Sequence, residues 1–186
     1  MPVDLYFQAV STKLHMRKYA LVLLITLYSF VGFCQSKIEQ TSKVVVSGEV
    51  KKPLTITVRD VENSVQEDLG DITITNHLGI AKGTARALKG VKVRDLLANV
   101  ELADDNPKLN STYYFVFSAA DGYKIVYSWN ELFNSPIGEK VYLVSSKDGK
   151  NIQDMPERML VITPSDYKTG RRYIKGLDSI IVRRIE

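Results

Sequence analysis

The sequence predicts a single α+β domain built around a mixed β-sheet core. Short runs of strand character recur along the 186-residue chain, about eight in number, whereas only residues 93–100 carry apolar side chains at sustained helical spacing. Tight turns such as Asp121-Gly122 and Asp148-Gly149 join several of these runs. Clustered strands joined by turns favour an α+β fold over a doubly wound parallel sheet, in which strands and helices alternate.

Local patterns predict the individual elements in chain order. Gly48 lies within the first strand, where a glycine permits a bulge or a close backbone approach. Residues 59–68 contain one or two helical turns, and Lys89-Gly90-Val91 is predicted to be a turn. Residues 93–100 form an amphipathic helix and residues 129–133 a short one. The strands are predicted at residues 43–50, 54–58, 71–75, 113–119, 123–128, 141–145, 159–162 and 177–185.

Residues 1–34 are predicted to be an upstream segment followed by a secretory signal peptide. Met16-Arg17-Lys18 is a positive start, which makes Met16 an alternative initiator. The apolar run that follows, residues 19–33, is short for a membrane span, and polar residues return at Gln35. Two alternatives stay open at this stage. One is a lipoprotein acylated at Cys34, and the other is an uncleaved membrane anchor.

The mature chain is predicted to be a bacterial protein that is secreted or periplasmic. Residues 35–42 form a flexible leader, and residues 43–186 form the domain. Without residues 1–34, 22 Lys and Arg residues face 20 Asp and Glu residues, a near balance that excludes a strongly basic nucleic-acid-binding protein. Cys34 is the only cysteine, so the domain has neither a disulfide nor a thiolate metal ligand. Contact with a membrane is expected only through the signal or a lipid anchor.

A cationic loop near the end of the chain is the strongest candidate for a binding site. It follows the apolar run 159–162 and contains Arg171, Arg172, Tyr173 and Lys175. Arginine can bind a phosphate or carboxylate through two parallel hydrogen bonds, and a tyrosine ring can stack on a flat heterocycle. The loop therefore predicts a site for an anion, and a solvated basic turn is the alternative.

His77 is a second candidate, because it is the only histidine after residue 34. It follows Asn76 directly after the strand at residues 71–75, in a loop where functional side chains tend to lie. A structural role is the alternative. One histidine without cysteines cannot form the usual zinc site of nitrogen and sulfur ligands. The chain also has no phosphate-binding glycine loop, no dinucleotide fingerprint and no nucleophile elbow.

Four segments, taken in this order, resemble the motifs of a known family. They are residues 48–55 (GEVKKPLT), residues 89–97 (KGVKVRDLL), residues 118–123 (SAADGY) and a closing segment with Pro156, Arg158, Gly170, Arg172, Lys175, Leu177 and Ile180 in matching places. The family is the sulfite-oxidase-type molybdopterin-binding domain. The resemblance spans residues 44–182, which is nearly the whole mature chain.

The resemblance implies a mixed α+β fold around a pterin or molybdopterin cofactor. In catalytic members of the family, a cysteine at the end of a strand ligates the molybdenum. Here the corresponding strand, residues 72–75, ends at Asn76 and His77. Because neither side chain replaces the charge and softness of a thiolate, molybdenum is not expected. The cofactor-binding residues implied are Asn76, His77, Arg171, Arg172, Tyr173 and Lys175.

The function predicted from the residues and the resemblance is binding without redox turnover. The chain would be an exported protein that binds a small anionic heterocycle of the pterin type. One alternative is a molybdopterin-dependent oxidoreductase with an unusual metal ligand, so the sequence leaves open whether the protein is an enzyme. The other is a ligand-free interaction module of the bacterial envelope, its pocket filled by side chains such as Tyr167 and Tyr173.

Overall fold

The computed structural model describes residues 40–185 of the chain, which contain two five-stranded β-sheets. The signal-peptide and lipid-anchor predictions concern residues 1–34 and lie outside the described residues. The strands are β1 (Lys43–Gly48), β2 (Leu54–Thr57), β3 (Glu67–Thr75), β4 (Ala81–Lys92), β5 (Tyr113–Ala119), β6 (Lys124–Ser128), β7 (Tyr142–Lys147), β8 (Lys150–Asn151), β9 (Leu160–Ile162) and β10 (Leu177–Arg184). The helices are α1 (Val58–Asn63), α2 (Val93–Leu96) and α3 (Trp129–Phe133), with 3-10 helices at Pro107–Thr112, Gly138–Lys140 and Thr169–Arg172.

The first sheet is mixed and has the strand order β2-β1-β10-β5-β6. β1 and β10 are parallel, with Val45 opposite Ser179, and the other neighbours are antiparallel. Gly48 has a φ of +98°, and a Cβ at this position would lie 2.2 Å from the carbonyl oxygen of Val182. Only glycine fits such a contact, so the predicted close backbone approach is confirmed.

The second sheet is antiparallel, with the order β3-β4-β7-β8 and with β9 paired to β7. β3 and β4 form a long hairpin, and the loop between them carries Asn76 and His77. β9 is completely buried, and Val161 within it bridges to Ile174 in the segment that leads to β10. This bridge holds the cationic loop, which ends just before β10, against the second sheet.

The core lies where the two sheets meet. Phe117 of β5 and Tyr127 of β6 contact each other edge to face, with their ring centroids 5.0 Å apart. The Tyr127 hydroxyl lies 2.6 Å from the Thr163 hydroxyl, directly after β9. Because a buried hydroxyl without a partner is costly, this hydrogen bond fixes the first sheet to the end of β9.

The structure confirms an α+β fold with a mixed sheet, and a strand occurs at all eight predicted places. It also has a second sheet that the sequence did not predict, and two local predictions are wrong. Residues 89–91 are not a turn but the end of β4, where a Cβ on Gly90 would lie 3.1 Å from the Leu143 carbonyl oxygen of β7. This glycine therefore permits close strand packing rather than a reversal.

The predicted helix at residues 93–100 is also shorter than expected, because only Val93–Leu96 is helical. Tertiary contacts account for the early end. Lys51 donates its backbone N–H to the Glu101 carbonyl at 2.9 Å, and Val50 forms a β-bridge with Leu102. Residues 97–99 form a hydrogen-bonded turn, after which these contacts pair the chain with residues 50 and 51, so local helical spacing is overridden. Among the described residues, no helix is long and apolar enough to cross a membrane.

Candidate functional site

Three loops that are distant in sequence meet at one cleft of about 410 Å³. They are the loop between β3 and β4, the turn between β5 and β6, and the segment from the 3-10 helix Thr169–Arg172 to β10. The cleft is lined by His77, Ala119, Asp121, Tyr123, Gly170, Arg171, Tyr173 and Lys175. It therefore combines three nitrogen-bearing side chains with two tyrosines and one carboxylate.

Thr169 and Gly170 fasten the cationic loop to the end of β3. The Thr169 hydroxyl donates to the Thr73 carbonyl at 2.7 Å and accepts from the Thr75 N–H at 3.0 Å. Gly170 packs so closely that a Cβ there would lie 2.0 Å from the Thr75 carbonyl oxygen. Because β3 continues directly into Asn76 and His77, this contact sets the position of the cations relative to His77.

The turn between β5 and β6 supports the cationic loop from another direction. The Tyr123 hydroxyl donates to the Arg171 carbonyl at 2.7 Å. Asp121 in turn accepts from the Tyr123 N–H at 2.9 Å, and Gly122 takes a φ of +87°, as this tight reversal requires. The contact to Arg171 involves only its backbone, so the Arg171 side chain is not needed to hold the loop.

The electrostatic character of the cleft is positive. Arg171 and Lys175 are exposed, and within residues 40–185 neither forms an ion pair. The Lys175 ammonium lies 5.8 Å from the centre of the Tyr173 ring, at the limit of a cation–π contact. Asp121 is the single carboxylate in the lining, so two permanent cations outweigh one anion.

Tyr173 forms a wall of the cleft and keeps its proton. Burial, together with the negative charges of Glu157 and Asp148, raises the pKa of Tyr173 above its ordinary value of 10.0. Glu157 is itself buried and pairs with Lys147. Tyr173 therefore offers a neutral hydroxyl and an apolar ring rather than a charge.

Arg172 lies next to Arg171 in sequence but does not line the cleft. Its Nε donates to the Asp166 carboxylate at 2.7 Å, its Nη2 also donates to Asp166, and its Nη1 donates to Glu131 at 3.1 Å. The guanidinium carbon lies 4.6 Å from the centre of the Tyr127 ring. All three guanidinium nitrogens thus donate to carboxylates and the group covers the Tyr127 ring, which makes Arg172 part of the internal framework.

Asn76 is likewise engaged in its own loop. Its side-chain oxygen accepts from the Leu78 N–H at 2.9 Å and from the Ile80 N–H at 3.0 Å. These bonds form the turn that presents His77, which is exposed at the mouth of the cleft. Asn76 therefore shapes the site without lining it.

The structure brings four of the six predicted site residues together and separates two. His77, Arg171, Tyr173 and Lys175 line one cleft, while Arg172 and Asn76 point elsewhere. Whether the four bind a ligand stays a prediction. The sequence predicted Tyr123 to be the first residue of a strand and did not indicate it as a lining residue. The signal was present, because Tyr123 closes the Asp-Gly-Tyr motif that carries part of the family resemblance.

Arg158, which is part of the closing segment that resembles the family, does not line the cationic cleft. It lines a separate cavity of about 490 Å³ with residues such as Arg59 and Gln153. Its Nε is buried and has no hydrogen-bond partner among the described residues. Within residues 40–185, no group of three or more His, Cys, Asp and Glu side chains is placed to hold a metal ion.

Comparison with known proteins gives a relationship at the level of fold. No protein-family model matches the chain, and no curated protein does. The structure is similar to the crystal structure of the sulfane dehydrogenase SoxCD from Paracoccus pantotrophus, with a TM-score of 0.57 and 15% sequence identity. The match covers 81% of this chain and 41% of that chain, so this protein spans less than half of its structural neighbour. At this identity the likeness shows a similar fold.

Proposed function

We propose that this protein is an exported binding protein for a small, anionic, flat heterocycle of the pterin type, and that it carries out no redox turnover. The observation that carries the proposal is the convergence of His77, Arg171, Tyr173 and Lys175 on one cleft. The resemblance of four sequence segments to the molybdopterin-binding domain supports a pterin-type ligand over other anions, and the chain is also similar in fold to a sulfane dehydrogenase.

The chemistry of the lining fits a heterocycle that carries a carboxylate or phosphate. Arg171 can donate two parallel hydrogen bonds to such a group, and Lys175 adds a second positive charge. The rings of Tyr123 and Tyr173 offer flat surfaces for a heterocycle, and His77 can donate or accept a hydrogen bond at its edge. The cleft volume of about 410 Å³ lies within the range of small-molecule sites.

The donor set at the end of β3 does not fit molybdenum. The strand that corresponds to the family's cysteine-bearing strand ends at Asn76 and His77, and the Asn76 oxygen already accepts two backbone N–H groups. The described residues contain no cysteine, and a thiolate is the soft ligand that the family uses. A pterin-type ligand without bound molybdenum is consistent with these side chains, and no redox step is assigned to them.

The alternative of a filled, ligand-free module finds no support in the position of Tyr167. Its side chain is fully exposed, so it does not occupy the cleft. Tyr173 is partly buried as a wall, and the space beside it remains open. The other alternative is an oxidoreductase with an unusual metal ligand. Metal analysis of protein made in a host that synthesises the cofactor tests it, because copurified molybdenum would support this alternative.

Titration with pterin-6-carboxylate, followed through its own fluorescence, tests the proposal. Because a hydrogen bond to a charged group contributes about 1.5–3 kcal/mol, Arg171→Ala should weaken binding about tenfold to a hundredfold. Lys175→Ala should weaken it as well. Arg183→Ala is the matched control, since Arg183 is an exposed cation near the far end of β10, about 20 Å from Leu177. Absence of binding at high micromolar ligand, or an equal loss in the control, would refute the proposal.

Export is the second part of the proposal, and its support is the sequence pattern of residues 16–35. Determination of the N-terminus of the mature protein tests it. Export through signal cleavage predicts a chain that begins at Gln35, whereas a lipoprotein begins at an acylated Cys34. An intact start at Met1 or Met16 would contradict cleavage and favour a retained anchor.

A further inference from the structure

A second cavity, unrelated to the cationic cleft, lies at the side of the first sheet. It has a volume of about 510 Å³ and shares no lining residue with the cleft. Its walls come from α2 and the turn after it, the 3-10 helix Pro107–Thr112, and α3. We refer to it as the aromatic groove, after Phe115, Trp129 and Phe133 in its lining.

The floor of the aromatic groove is a continuous set of rings. The Phe133 ring centroid lies 5.8 Å from that of Phe115 and 5.7 Å from that of Trp129. Phe115 is buried, whereas Trp129 and Phe133 are partly exposed. Leu97 and Val100 complete the apolar lining. A concave surface of this size with exposed aromatic faces is the usual character of a small-molecule site.

Local structure holds Trp129 in this position. Ser128 caps α3, accepting from the Glu131 N–H at 3.1 Å, while the Glu131 carboxylate accepts from the Ser128 N–H at 2.8 Å. This capping box fixes the first turn of α3, in which Trp129 is the first residue. The Trp129 backbone is therefore held by the helix, and its ring packs against Phe133.

The rim of the aromatic groove carries an excess of negative charge. Four carboxylates line it, Asp95, Glu101, Asp104 and Asp105, against the lining cations Lys51 and Arg94. Arg184 pairs with Asp104 at 3.2 Å and Arg94 pairs with Glu139, so the negative excess rests chiefly on Glu101 and Asp105. Lys51 is shared between Glu101, at 3.8 Å, and Asp105. One cation therefore faces two exposed carboxylates at this part of the rim, and the three groups together retain net negative charge.

We propose that the aromatic groove binds a small organic cation that carries an aromatic ring. The ring would stack on Trp129 and Phe133, and the positive charge would face Glu101 and Asp105 at the rim. An aromatic surface attracts a cation through its quadrupole, and exposed carboxylates add a Coulombic preference in the same direction. The same rim disfavours anions, so the groove and the cationic cleft select ligands of opposite charge.

The test uses three probes of the same shape that differ in charge: phenethylamine, 2-phenylethanol and 3-phenylpropanoate. Trp129 is the only tryptophan in the sequence, so its fluorescence reports this groove directly. Excitation at the red edge of the indole band avoids absorption by the phenyl probes. The expected order of affinity is cation, neutral, anion, with the cation about tenfold tighter than the anion.

Variants test whether the carboxylates of the rim cause the preference for the cationic probe. The double variant Glu101→Gln/Asp105→Asn should reduce the cation-to-anion ratio to within about threefold. Asp178→Asn removes another exposed carboxylate, one that does not line the groove, and should leave the ratio unchanged. Circular dichroism verifies that each variant is folded. The variant Arg171→Ala should leave phenethylamine binding intact, which separates this proposal from the function of the cleft.

Three results would overturn the proposal. One is no change in Trp129 fluorescence with phenethylamine at millimolar concentration. Another is equal affinity for the three probes, which would make the groove a merely apolar surface. The third is an unaltered preference in the double variant, which would place the cation somewhere other than the rim.

Discussion

The two neighbouring arginines, Arg171 and Arg172, should respond to mutation in opposite ways. Arg172→Ala removes a guanidinium that makes three hydrogen bonds to Asp166 and Glu131 and covers the Tyr127 ring. The side chains of Arg172 and Asp166 are 17% and 16% exposed, so the substitution leaves a largely buried carboxylate without its cation. Arg171→Ala removes an exposed side chain whose backbone carbonyl still accepts from Tyr123.

The predicted losses of stability differ because Arg172 is part of a largely buried ion pair and Arg171 is exposed. Breaking a buried ion pair from one side costs about 3–5 kcal/mol, and the residual exposure of Arg172 and Asp166 places this pair near the lower end, about 3 kcal/mol. For a domain of this size the melting temperature should fall by about 9 °C. Arg171→Ala should change the free energy of unfolding by less than about 0.5 kcal/mol, as exposed substitutions usually do.

Urea denaturation followed by circular dichroism measures both values, with the midpoint and the slope fitted separately. Asp166→Asn in the Arg172→Ala background is a sharper control. It removes the stranded charge, so part of the lost stability should return. Equal stability of the two arginine variants would refute the assignment of Arg172 to the framework. So would a failure of Asp166→Asn to restore any stability.

Three further predictions concern the cationic loop, the α3 cap and the start of β3. Gly170→Ala should cost about 1–3 kcal/mol in urea denaturation, because its Cβ would meet the Thr75 carbonyl, whereas the control Gly83→Ala has open space and should stay within about 1 kcal/mol of the wild type. Ser128→Ala should cost about 1 kcal/mol through loss of the α3 cap, and Ser128→Asp should retain most of that stability; equal loss in both would contradict the capping role. The pKa of Glu67 is held below its ordinary value of 4.5 chiefly by a hydrogen bond from Lys92 and then by one from Tyr142. A carboxylate with a depressed pKa stabilises the fold at pH values above its ordinary pKa, and this stability is lost as the pH falls through the pKa of the folded state. Below pH 4.5, the melting temperature should therefore fall less steeply with decreasing pH in Glu67→Gln than in the wild type.

The strands could be predicted from sequence because their signal is local. Alternation, β-branched residues and turn dipeptides such as Asp121-Gly122 lie within a few positions of each other. β4 was missed because residues 89–91 around Gly90 were predicted to be a turn, although Gly90 permits close packing on β7. The helix at residues 93–100 was overestimated because its end depends on pairing with Val50, which is distant in sequence.

The candidate site was partly predictable for a related reason. The family resemblance implied one site for His77 and the cationic loop, and the structure puts His77 and Lys175 in the same cleft. No local pattern distinguishes Arg171 from Arg172. Their directions depend on Asp166, on Glu131 and on the Thr169 contact to β3, which exist only in the folded chain.

The imidazole of His77 offers the most direct test of the central claim that the cleft binds an anionic heterocycle. In a chain that lacks residues 1–34, His77 is the sole histidine, so its ring protons give an unambiguous pair of NMR signals. Addition of pterin-6-carboxylate should shift these signals saturably, with the dissociation constant obtained from ligand fluorescence, and Arg171→Ala should weaken both responses together. Binding detected by fluorescence that leaves the His77 signals unmoved would contradict the claim, because the ligand would then lie outside this cleft.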